Sequence, residues 1–439
     1  MSIRGDYLSG RWRYILTRQM KRIWVRASMY SVAAILVALL GALVSNYISF
    51  PFELELAADA VDKILAILAS SMLAVTTFSL SIMVSAYQAA ASNSTPRATA
   101  LLIADSVASN TLATFIGSFL FAIVGIVGLS THIYGDKGRV VLFITTLVVL
   151  FLVTASLLRW IEQLTRFGRI GDTIERVEEA ASGAARAWAQ LPRLGARTGT
   201  EIPEDAAPLY IDQTGYIQHL DMSKLNELAE SHGGDIHLDA MPGNFVGPHK
   251  PVAYLTVEPD GDVRDDMADC FTIGHDRSFE QDPRYGLVML AEIASRALSP
   301  AVNDPGTAIA VLGAGVRVLT DYCDGHSESE AKARFDRIYA PEISHAEMLE
   351  DFITPIARDG AGLLEVQARL QRGLEMIALA NRELFGEPAK RLSALYLKRA
   401  LDKLDSPLER GRLERRARWA LPDEITGESL AERAHRAEV

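Results

Sequence analysis

The chain has 439 residues, of which 49% are hydrophobic, with a mean hydropathy of +0.12 and a formal net charge of −11. This length predicts two or three domains, and the acidic balance argues against nucleic acid as a general partner. The two cysteines, Cys270 and Cys323, give neither a disulfide framework nor the spacing of a zinc site. We therefore expect no bound metal and no cofactor.

Most of the hydrophobic excess lies before residue 160, so the chain divides into a membrane part and a water-soluble part. A spanning helix needs about 20 apolar residues, and the first apolar run is too long for a signal-peptide core, so we expect it to remain as a span. Arginine and lysine dominate the segment before it, which predicts cytoplasmic termini by the positive-inside rule. The four predicted spans are residues 27–50, 64–91, 107–134 and 140–158.

The predicted fold class is a membrane α-helical domain of four transmembrane helices followed by a cytoplasmic α+β domain. Beyond residue 160, amphipathic helical patterns and short β-branched runs are separated by proline- and glycine-rich breaks. The predicted segments are a basic cytoplasmic segment (1–26), the transmembrane domain (27–160), a helical extension that continues the fourth span (161–190), a linker (191–208), a small β-rich module (209–280), a helical cytoplasmic portion (281–405) and a charged tail (406–439).

One side of the second predicted span carries small and hydroxylated residues, which we call the polar stripe. They follow one another at spacings of 4, 3, 4, 4, 3 and 4 residues, which keeps them on one narrow edge of a helix. Uncharged polar side chains can line a water-filled path for ions, with Arg97 at its inner mouth. Such residues are also common contacts between helices in lipid, so packing is the alternative interpretation. The pore-lining candidates are Ser70, Ala74, Thr77, Ser81, Ser85, Gln88, Ser92 and Arg97.

Two predicted helix starts in the soluble part have an acid followed by proline, at Asp282 and at Asp304. Each acid is expected to cap a helix that begins at the proline. Around the second start, polar side chains would alternatively form a pocket at a helix N-terminus, suited to an anionic group of a small ligand. The ligand-binding candidates are Arg296, Ser299, Asn303, Asp304 and Thr307.

Histidines are concentrated in one window of the soluble part. Metal binding is one interpretation, although the spacings match no known ligand pattern; a pH response and scattered surface histidines are the others. The sequence also lacks the common hydrolase, Walker and dinucleotide-binding motifs, so no catalytic set is visible, and an enzyme of the membrane surface is the least favoured interpretation of the chain. The histidines in the window are His219, His232, His237, His249 and His275.

Three blocks of the sequence carry a resemblance to one family, and the first two lie in different halves of the chain. The first, Ser81 to Arg97, is a run of serines and a glutamine that ends in Ser-Thr-Pro-Arg, with Thr95 where the family has a serine. The second combines Gly215-Tyr-Ile-Gln and Asp221 with Gly243-Asn-Phe-Val.

The third block is the most specific one. It joins Gln281-Asp-Pro-Arg-Tyr-Gly to Arg296-Ala-Leu-Ser-Pro-Ala-Val-Asn-Asp-Pro-Gly-Thr-Ala. In these three blocks the chain is similar to the bacterial membrane-protein family called domain of unknown function 2254. The resemblance implies a bacterial membrane protein and no particular activity.

Two functional hypotheses follow from these patterns. In the first, the chain is a homo-oligomeric channel of the bacterial inner membrane for an ion or small solute, lined by the second span and regulated by the cytoplasmic domain. In the second, the membrane part is an anchor, and the cytoplasmic domain is a sensor or scaffold that binds a ligand or partner around Asn303. The expected partners are the lipid bilayer, further copies of the chain and an ion or small ligand.

Overall fold

The chain separates into two compact units in the computed structural model, and each is described by itself. The membrane unit is Ile15–Asp172, and the α+β unit is built mainly on Thr173–Val439. Most of the predicted basic segment 1–26 and the end of the predicted tail lie outside the described residues. Apart from a few isolated positions, the structure describes residues 23–44, 55–93, 95–103, 106–131, 136–166, 169–199, 201–327 and 333–421.

The membrane unit is made of helices that coincide with the apolar stretches of the sequence. Each long helix consists mainly of Leu, Ile, Val, Ala and Phe, without an internal proline. The helices are Ile23–Val44 (α1), Glu55–Asn93 (α2), Pro96–Ile103 (α3), Ser106–Ser130 (α4) and Asp136–Arg166 (α5).

Three helices of the described part of the chain are long and apolar enough to cross a bilayer. Their apolar lengths are Val61–Ala89 in α2, Val107–Ser130 in α4 and Gly138–Thr165 in α5, so the last three predicted spans are confirmed as apolar helices of spanning length. The first predicted span, 27–50, is not confirmed. Its apolar helix is the shorter Trp24–Val37, and residues 45–50 lie outside the described ranges.

Helix α4 is the centre of the membrane unit. It packs against α1, α2 and α5, and 50% of its apolar length is buried, compared with 28% for α2 and 17% for α5. Two glycines allow the close approach of its neighbours: a Cβ at Gly117 would lie 3.3 Å from the Tyr30 carbonyl oxygen, and one at Gly125 would lie 3.0 Å from Leu65 Cδ1. Small residues at such crossings let membrane helices pack tightly.

The helical extension predicted for residues 161–190 is two helices and not one. Helix α5 ends at Arg166, and a separate helix, Ile170–Gln190 (α6), follows after Arg169, which lies outside both. The sequence carries glycine at position 171, and glycine weakens helices. Helix α6 buries an amphipathic face that includes Trp188 in the α+β unit.

The α+β unit contains eight strands and nine helices of eight residues or more among its described residues. Up to residue 274 these are, after α6, Ala196–Thr198 (β1), Ala207–Leu209 (β2), Gly215–Leu220 (β3), Met222–His232 (α7), Ile236–Leu238 (β4), Phe245–Val246 (β5), Ala253–Leu255 (β6), Gly261–Ala268 (α8) and Phe271–Gly274 (β7). The remainder are Tyr285–Ala297 (α9), Pro305–Ser327 (α10), Phe335–Ala340 (β8), His345–Asp359 (α11), Leu364–Ala380 (α12), Arg382–Leu401 (α13) and Pro407–Ala417 (α14).

The strands form two sheets. Their strand pairing shows that two of the predicted segments, the linker and the β-rich module, do not have the predicted structure. The five-stranded sheet has the order β1-β8-β4-β6-β2, and the three-stranded sheet has the order β5-β3-β7. Strand β8 runs parallel to both of its neighbours, with Ala196 of β1 paired to Phe335. The predicted linker 191–208 therefore contains sheet strands. The predicted β-rich module 209–280 is not self-contained either, because β1 and β8 complete its sheet from outside.

Helices α9 to α14 and strand β8 form the rest of the α+β unit. They differ from the predicted helical portion 281–405 and from the predicted charged tail in three respects. Strand β8 lies within the portion 281–405 that the sequence predicts as helical. A break between α12 and α13 falls at Asn381, whose side chain accepts hydrogen bonds from the first turn of α13. The charged tail predicted from residue 406 begins with α14, which buries Leu413 and Ala417 against α13; residues 422–439 lie outside the described chain.

Candidate functional site

The polar stripe lies on the exposed side of α2. The opposite side of the helix carries Leu65, Leu68, Met72 and Met83, which are buried against α4 and α5. Met72 precedes Ser81 by two and a half turns, so the stripe and the buried face are diametrically opposed. The side chain of Ser92 lies outside the described positions; the exposed candidates are Ser70, Ala74, Thr77, Ser81, Ser85, Gln88 and, in α3, Arg97.

The hydroxyl groups of the stripe donate to their own helix. Ser70 Oγ donates to the Ala66 carbonyl oxygen at 3.1 Å, and Ser81 Oγ donates to the Thr77 carbonyl oxygen at 3.0 Å. Thr77 Oγ1 donates to the Leu73 carbonyl oxygen at 2.9 Å. Each hydroxyl oxygen keeps lone pairs that can accept a further hydrogen bond. The stripe therefore presents acceptors, which suit water, a cation or a donor of another helix.

The block around Asn303 is a tightly bonded helix start. Asp304 Oδ1 accepts from the Thr307 backbone N–H at 3.0 Å, and Thr307 Oγ1 donates to Asp304 Oδ2 at 2.6 Å. These hydrogen bonds lower the pKa of the Asp304 carboxyl. Ser299 Oγ donates to the Arg296 carbonyl oxygen at 2.6 Å, and Asn303 has a left-handed φ of 47°. The five candidates lie together, with Asp304 acting as the helix cap; a ligand there stays a prediction.

The other acid–proline start is part of a buried ion pair that the sequence did not reveal. Helix α9 begins at Tyr285 and not at the predicted Pro283, with Arg284 at its N-cap. Asp282 still holds the start of this helix, since its Oδ1 accepts from the backbone N–H groups of Arg284 and Tyr285 at 3.1 and 3.2 Å. Arg277 donates two hydrogen bonds to the same carboxylate, from Nε to Oδ2 at 2.7 Å and from Nη2 to Oδ1 at 2.9 Å. Burial raises the pKa of Asp282, while Arg277 pulls it down.

Gly243 closes over this carboxylate. Its φ of +92° belongs to the left-handed region that favours glycine, and a Cβ built there would lie 2.3 Å from Asp282 Oδ2. The Gly243-Asn-Phe-Val and Gln281-Asp-Pro-Arg blocks, 38 positions apart, therefore meet at one point. Sequence reasoning named Asp282 only as a cap, because nothing in the local pattern pairs it with Gly243.

A cavity of about 290 Å³ opens beside the Arg277–Asp282 pair. Its wall carries both signs of charge, with Arg284 and Glu347 facing it, and Arg284 Nε donates to Asp351 Oδ2 at 2.7 Å. The Ser344 hydroxyl oxygen at the rim accepts from the Glu347 backbone N–H. Such a wall suits a small polar or zwitterionic ligand. Its further lining residues include Trp188, Asn244, Pro283 and Glu342.

The glutamines of the resembling blocks are structural braces. Gln281 is fully buried and forms a pair of hydrogen bonds with Leu220, accepting from its N–H at 2.8 Å and donating to its carbonyl oxygen at 3.3 Å. Gln218 Nε2 donates to the Asp276 carbonyl oxygen at 2.6 Å. Together they hold the segment that carries Arg277 and Asp282 against β3.

The histidines divide into buried and exposed ones. His219 is buried with 1% exposure, so the interpretation that all five are surface residues is wrong for this one. His237 is half-buried and stacks on Tyr339 with ring centroids 4.7 Å apart. His232, His249 and His275 are exposed. Across the described ranges, no group of three or more His, Cys, Asp or Glu side chains is arranged to hold a metal ion.

The comparisons with known proteins identify the family and no activity. Uncharacterised proteins of Mycobacterium bovis and of Mycobacterium tuberculosis H37Rv are each 35% identical to this chain over 116 residues, which are 25% of this chain and 22% of theirs. A third, from M. tuberculosis CDC 1551, is 34% identical over the same length. The matched part is thus about a fifth of the length of these relatives. No solved structure matches.

A family model described as a predicted membrane protein of domain of unknown function 2254 matches residues 20–376. The match covers most of the membrane unit and the α+β unit as far as α12. It contains all three blocks on which the resemblance was based. The chain therefore belongs to the domain of unknown function 2254 family of predicted membrane proteins.

Proposed function

We propose that several copies of this chain assemble into a channel of the bacterial inner membrane, with their polar stripes facing a common axis. An ion or a small solute passes along that axis. In this proposal the segment 27–50 crosses the membrane together with the three long apolar helices, so that both termini lie in the cytoplasm, where the α+β unit regulates the path. The observation that carries the proposal is the exposure of the stripe on the side of α2 opposite its buried face.

The flanks of the stripe support assembly. Leu73 and Leu80 are exposed on one flank and Phe78 on the other, at 53%, 46% and 68% of their side-chain surface. At about 100° per residue, these side chains lie roughly 60–100° from Ser81. A helix in a ring around a pore needs this arrangement, with a polar edge toward the axis and apolar flanks toward its neighbours.

The side chain of Gln88 gives an energetic reason for the stripe to face water or protein and not lipid. Its amide has two N–H hydrogens and a carbonyl oxygen, and hydrocarbon offers no partner to any of them. The absence of Asp, Glu, Lys and Arg from positions 64 to 91 fits a path that conducts by partial dehydration and not by proton relay.

The test is thiol accessibility combined with flux in vesicles that contain the full chain. In a Ser81→Cys variant, a charged, membrane-impermeant thiol reagent should react and block most of the ion flux. Leu80→Cys, at a position that is also exposed but lies on the flank, is the matched control and should react slowly without loss of flux. The native Cys270 and Cys323 are buried, which keeps the background labelling low.

Two results would contradict the channel. One is the absence of flux of any ion or small solute from vesicles with correctly inserted protein. The other is equal labelling at positions 80 and 81, together with a Ser81→Leu variant that conducts like the unmodified chain.

A sensor or scaffold is the second candidate function, favoured by the mixed-charge cavity beside Asp282 in the α+β unit. Here the membrane unit is an anchor, and the cavity or the block around Asn303 binds a small ligand. A thermal-shift screen of the full chain with small zwitterionic metabolites should give a hit that a Glu342→Gln variant weakens. Glu342 lines the cavity with an exposed side chain, so this change leaves the buried pair intact. A screen without hits removes this candidate.

A further inference from the structure

We propose that the membrane unit binds one anionic glycerophospholipid in a cavity between α1, α4 and α5. The cavity has a volume of about 570 Å³ and lies wholly within this unit. No residue of α2 lines it, so the inference is independent of the proposed channel. Its lining includes Tyr30 from α1, Asn110, Thr114 and Phe121 from α4, and Thr145 and Arg159 from α5.

The length of the cavity suits an acyl chain with its glycerol group. On α4 the lining extends from Val107 to Phe121, and on α5 from Arg159 back to Thr145. Fourteen residues of helix rise about 21 Å. Half of the hydrocarbon core of a bilayer is roughly 15 Å. The cavity is therefore long enough for one acyl chain of a leaflet and part of the headgroup region.

The wall along this length is effectively apolar despite its hydroxyl groups. Thr114 Oγ1 donates to the Asn110 carbonyl oxygen at 2.9 Å, and Ser118 Oγ donates to the Thr114 carbonyl oxygen at 2.8 Å. Thr145 Oγ1 donates to the Val141 carbonyl oxygen at 2.8 Å. With these three donors used by their own helices, the side chains present mainly methyl and methylene groups to the cavity, beside the valine and leucine residues of the lining and the aromatic ring of Phe121. Hydrocarbon fits such a wall better than a chain of waters, which needs two to four polar partners each.

One end of the cavity is cationic. Arg159 lines it directly, and Arg26 lies beside it, because Arg26 Nη1 donates to Oδ1 of the lining residue Asn110 at 3.1 Å. Among the described residues of the lining, none is acidic. Basic pockets between membrane helices bind anionic lipid headgroups through this kind of charge pairing. An apolar slot with cations at one end is complementary to an anionic phospholipid and not to free phosphate.

The test measures the lipid that stays with the purified full-length chain. Protein extracted in a mild detergent should retain about one anionic phospholipid per chain after washing. Thr145→Phe fills the slot and should lower the retained lipid at least tenfold. Leu147→Phe, on the same helix but exposed and outside the cavity, should retain lipid like the unmodified chain.

A second variant tests the charged end separately, in case the cavity-filling chain misfolds. Arg159→Gln should weaken binding of added anionic phospholipid to delipidated protein roughly fivefold, with no change for a zwitterionic lipid of the same chain length. Arg169→Gln, an exposed cation outside the cavity, is the control and should have no effect.

The proposal is overturned if Thr145→Phe and Leu147→Phe retain equal lipid, or if anionic and zwitterionic lipids bind equally. It is also overturned if inorganic phosphate alone stabilises the delipidated chain as much as the lipid does, since the ligand is then a free anion. None of these measurements involves flux, so the channel can fail while the lipid site stands.

Discussion

A substitution of Gly243 by alanine tests the most specific contact of the α+β unit. The new Cβ would lie 2.3 Å from Asp282 Oδ2, whereas ordinary contact begins at 3.4 Å. The carboxylate must therefore move by about 1 Å, and this stretches both hydrogen bonds from Arg277, now 2.7 and 2.9 Å, beyond useful length. The same movement weakens the cap of α9.

Two effects set the size of the expected loss. A left-handed φ at a residue with a Cβ costs about 1–2 kcal/mol. Breaking a buried pair by removing a partner costs about 3–5 kcal/mol; since the carboxylate is only displaced, we expect about half of that. Gly243→Ala should thus lower the free energy of unfolding by about 3–4 kcal/mol in total.

Gly233→Ala is the matched control. Gly233 also has a left-handed φ, of +69°, but a Cβ added there would have no neighbouring atom within 4 Å. The Gly233→Ala variant should therefore lose only about 1–2 kcal/mol of its free energy of unfolding, which is the cost of the left-handed backbone. Urea unfolding of the full chain in detergent, followed by tryptophan fluorescence, measures both; Trp188 lines the cavity beside Asp282 and reports on it.

A double-mutant cycle identifies the carboxylate as the cause. In an Asp282→Ala background, Gly243→Ala has no carboxylate to displace, so its cost should fall to that of Gly233→Ala. The reasoning is refuted if Gly243→Ala costs no more than Gly233→Ala, or if its extra cost persists without Asp282.

Two further predictions concern the helical part of the α+β unit. Gly315→Ala should destabilise the chain by about 1–3 kcal/mol in the same urea assay, because its Cβ would lie 2.0 Å from Cζ of the buried Phe352. His345 is half-buried beside Tyr322, with its Nε2 3.0 Å from the Tyr322 hydroxyl oxygen. Partial burial and, secondly, the nearby His326 lower the pKa of His345. The unfolded histidine titrates near about 6.5 and there binds more protons than the folded one. The melting temperature should therefore fall as the pH drops below that value, and His345→Gln should reduce this fall.

The glycine prediction has a matched control variant, and the histidine prediction has an outcome that would contradict it. A Cβ at Gly313 would meet only the end of the flexible Arg317 side chain at 3.4 Å, so Gly313→Ala should be neutral or mildly stabilising. Equal losses at positions 313 and 315 would contradict the packing argument. For the histidine, a His345→Gln variant whose melting temperature falls with pH as steeply as that of the unmodified chain would contradict the burial of His345 as the cause.

The parts of the fold that the sequence predicted are those with a local signal. Three spans could be recognised from hydropathy, and the start of α10 at Pro305 from Asp304, whose Oδ1 accepts from the Thr307 N–H at 3.0 Å. The stripe of α2 could be recognised from its period, and its position opposite the buried face follows from the same helical geometry.

The parts that the sequence did not predict depend on distant partners. Strand β1 is three residues long in a stretch rich in glycine and arginine, and its partner Phe335 lies 139 positions away. The cavity beside Asp282 needs Gly243, Arg277 and Glu347 from three separate segments. A window of local sequence contains none of these pairings, so only the folded chain reveals them.

The position of β8 between β1 and β4 in the five-stranded sheet has a consequence for how the protein is made. Strand β1 leaves the ribosome more than a hundred residues before β8, which at about 5–20 residues per second is a delay of roughly 7–30 s. Until β8 is made, β1 and later β4 each lack the neighbour that will lie between them, and open strand edges invite pairing with other chains. A transcript that stops before residue 335 would therefore yield finished membrane helices joined to a sheet divided in two, a natural substrate for quality-control proteases.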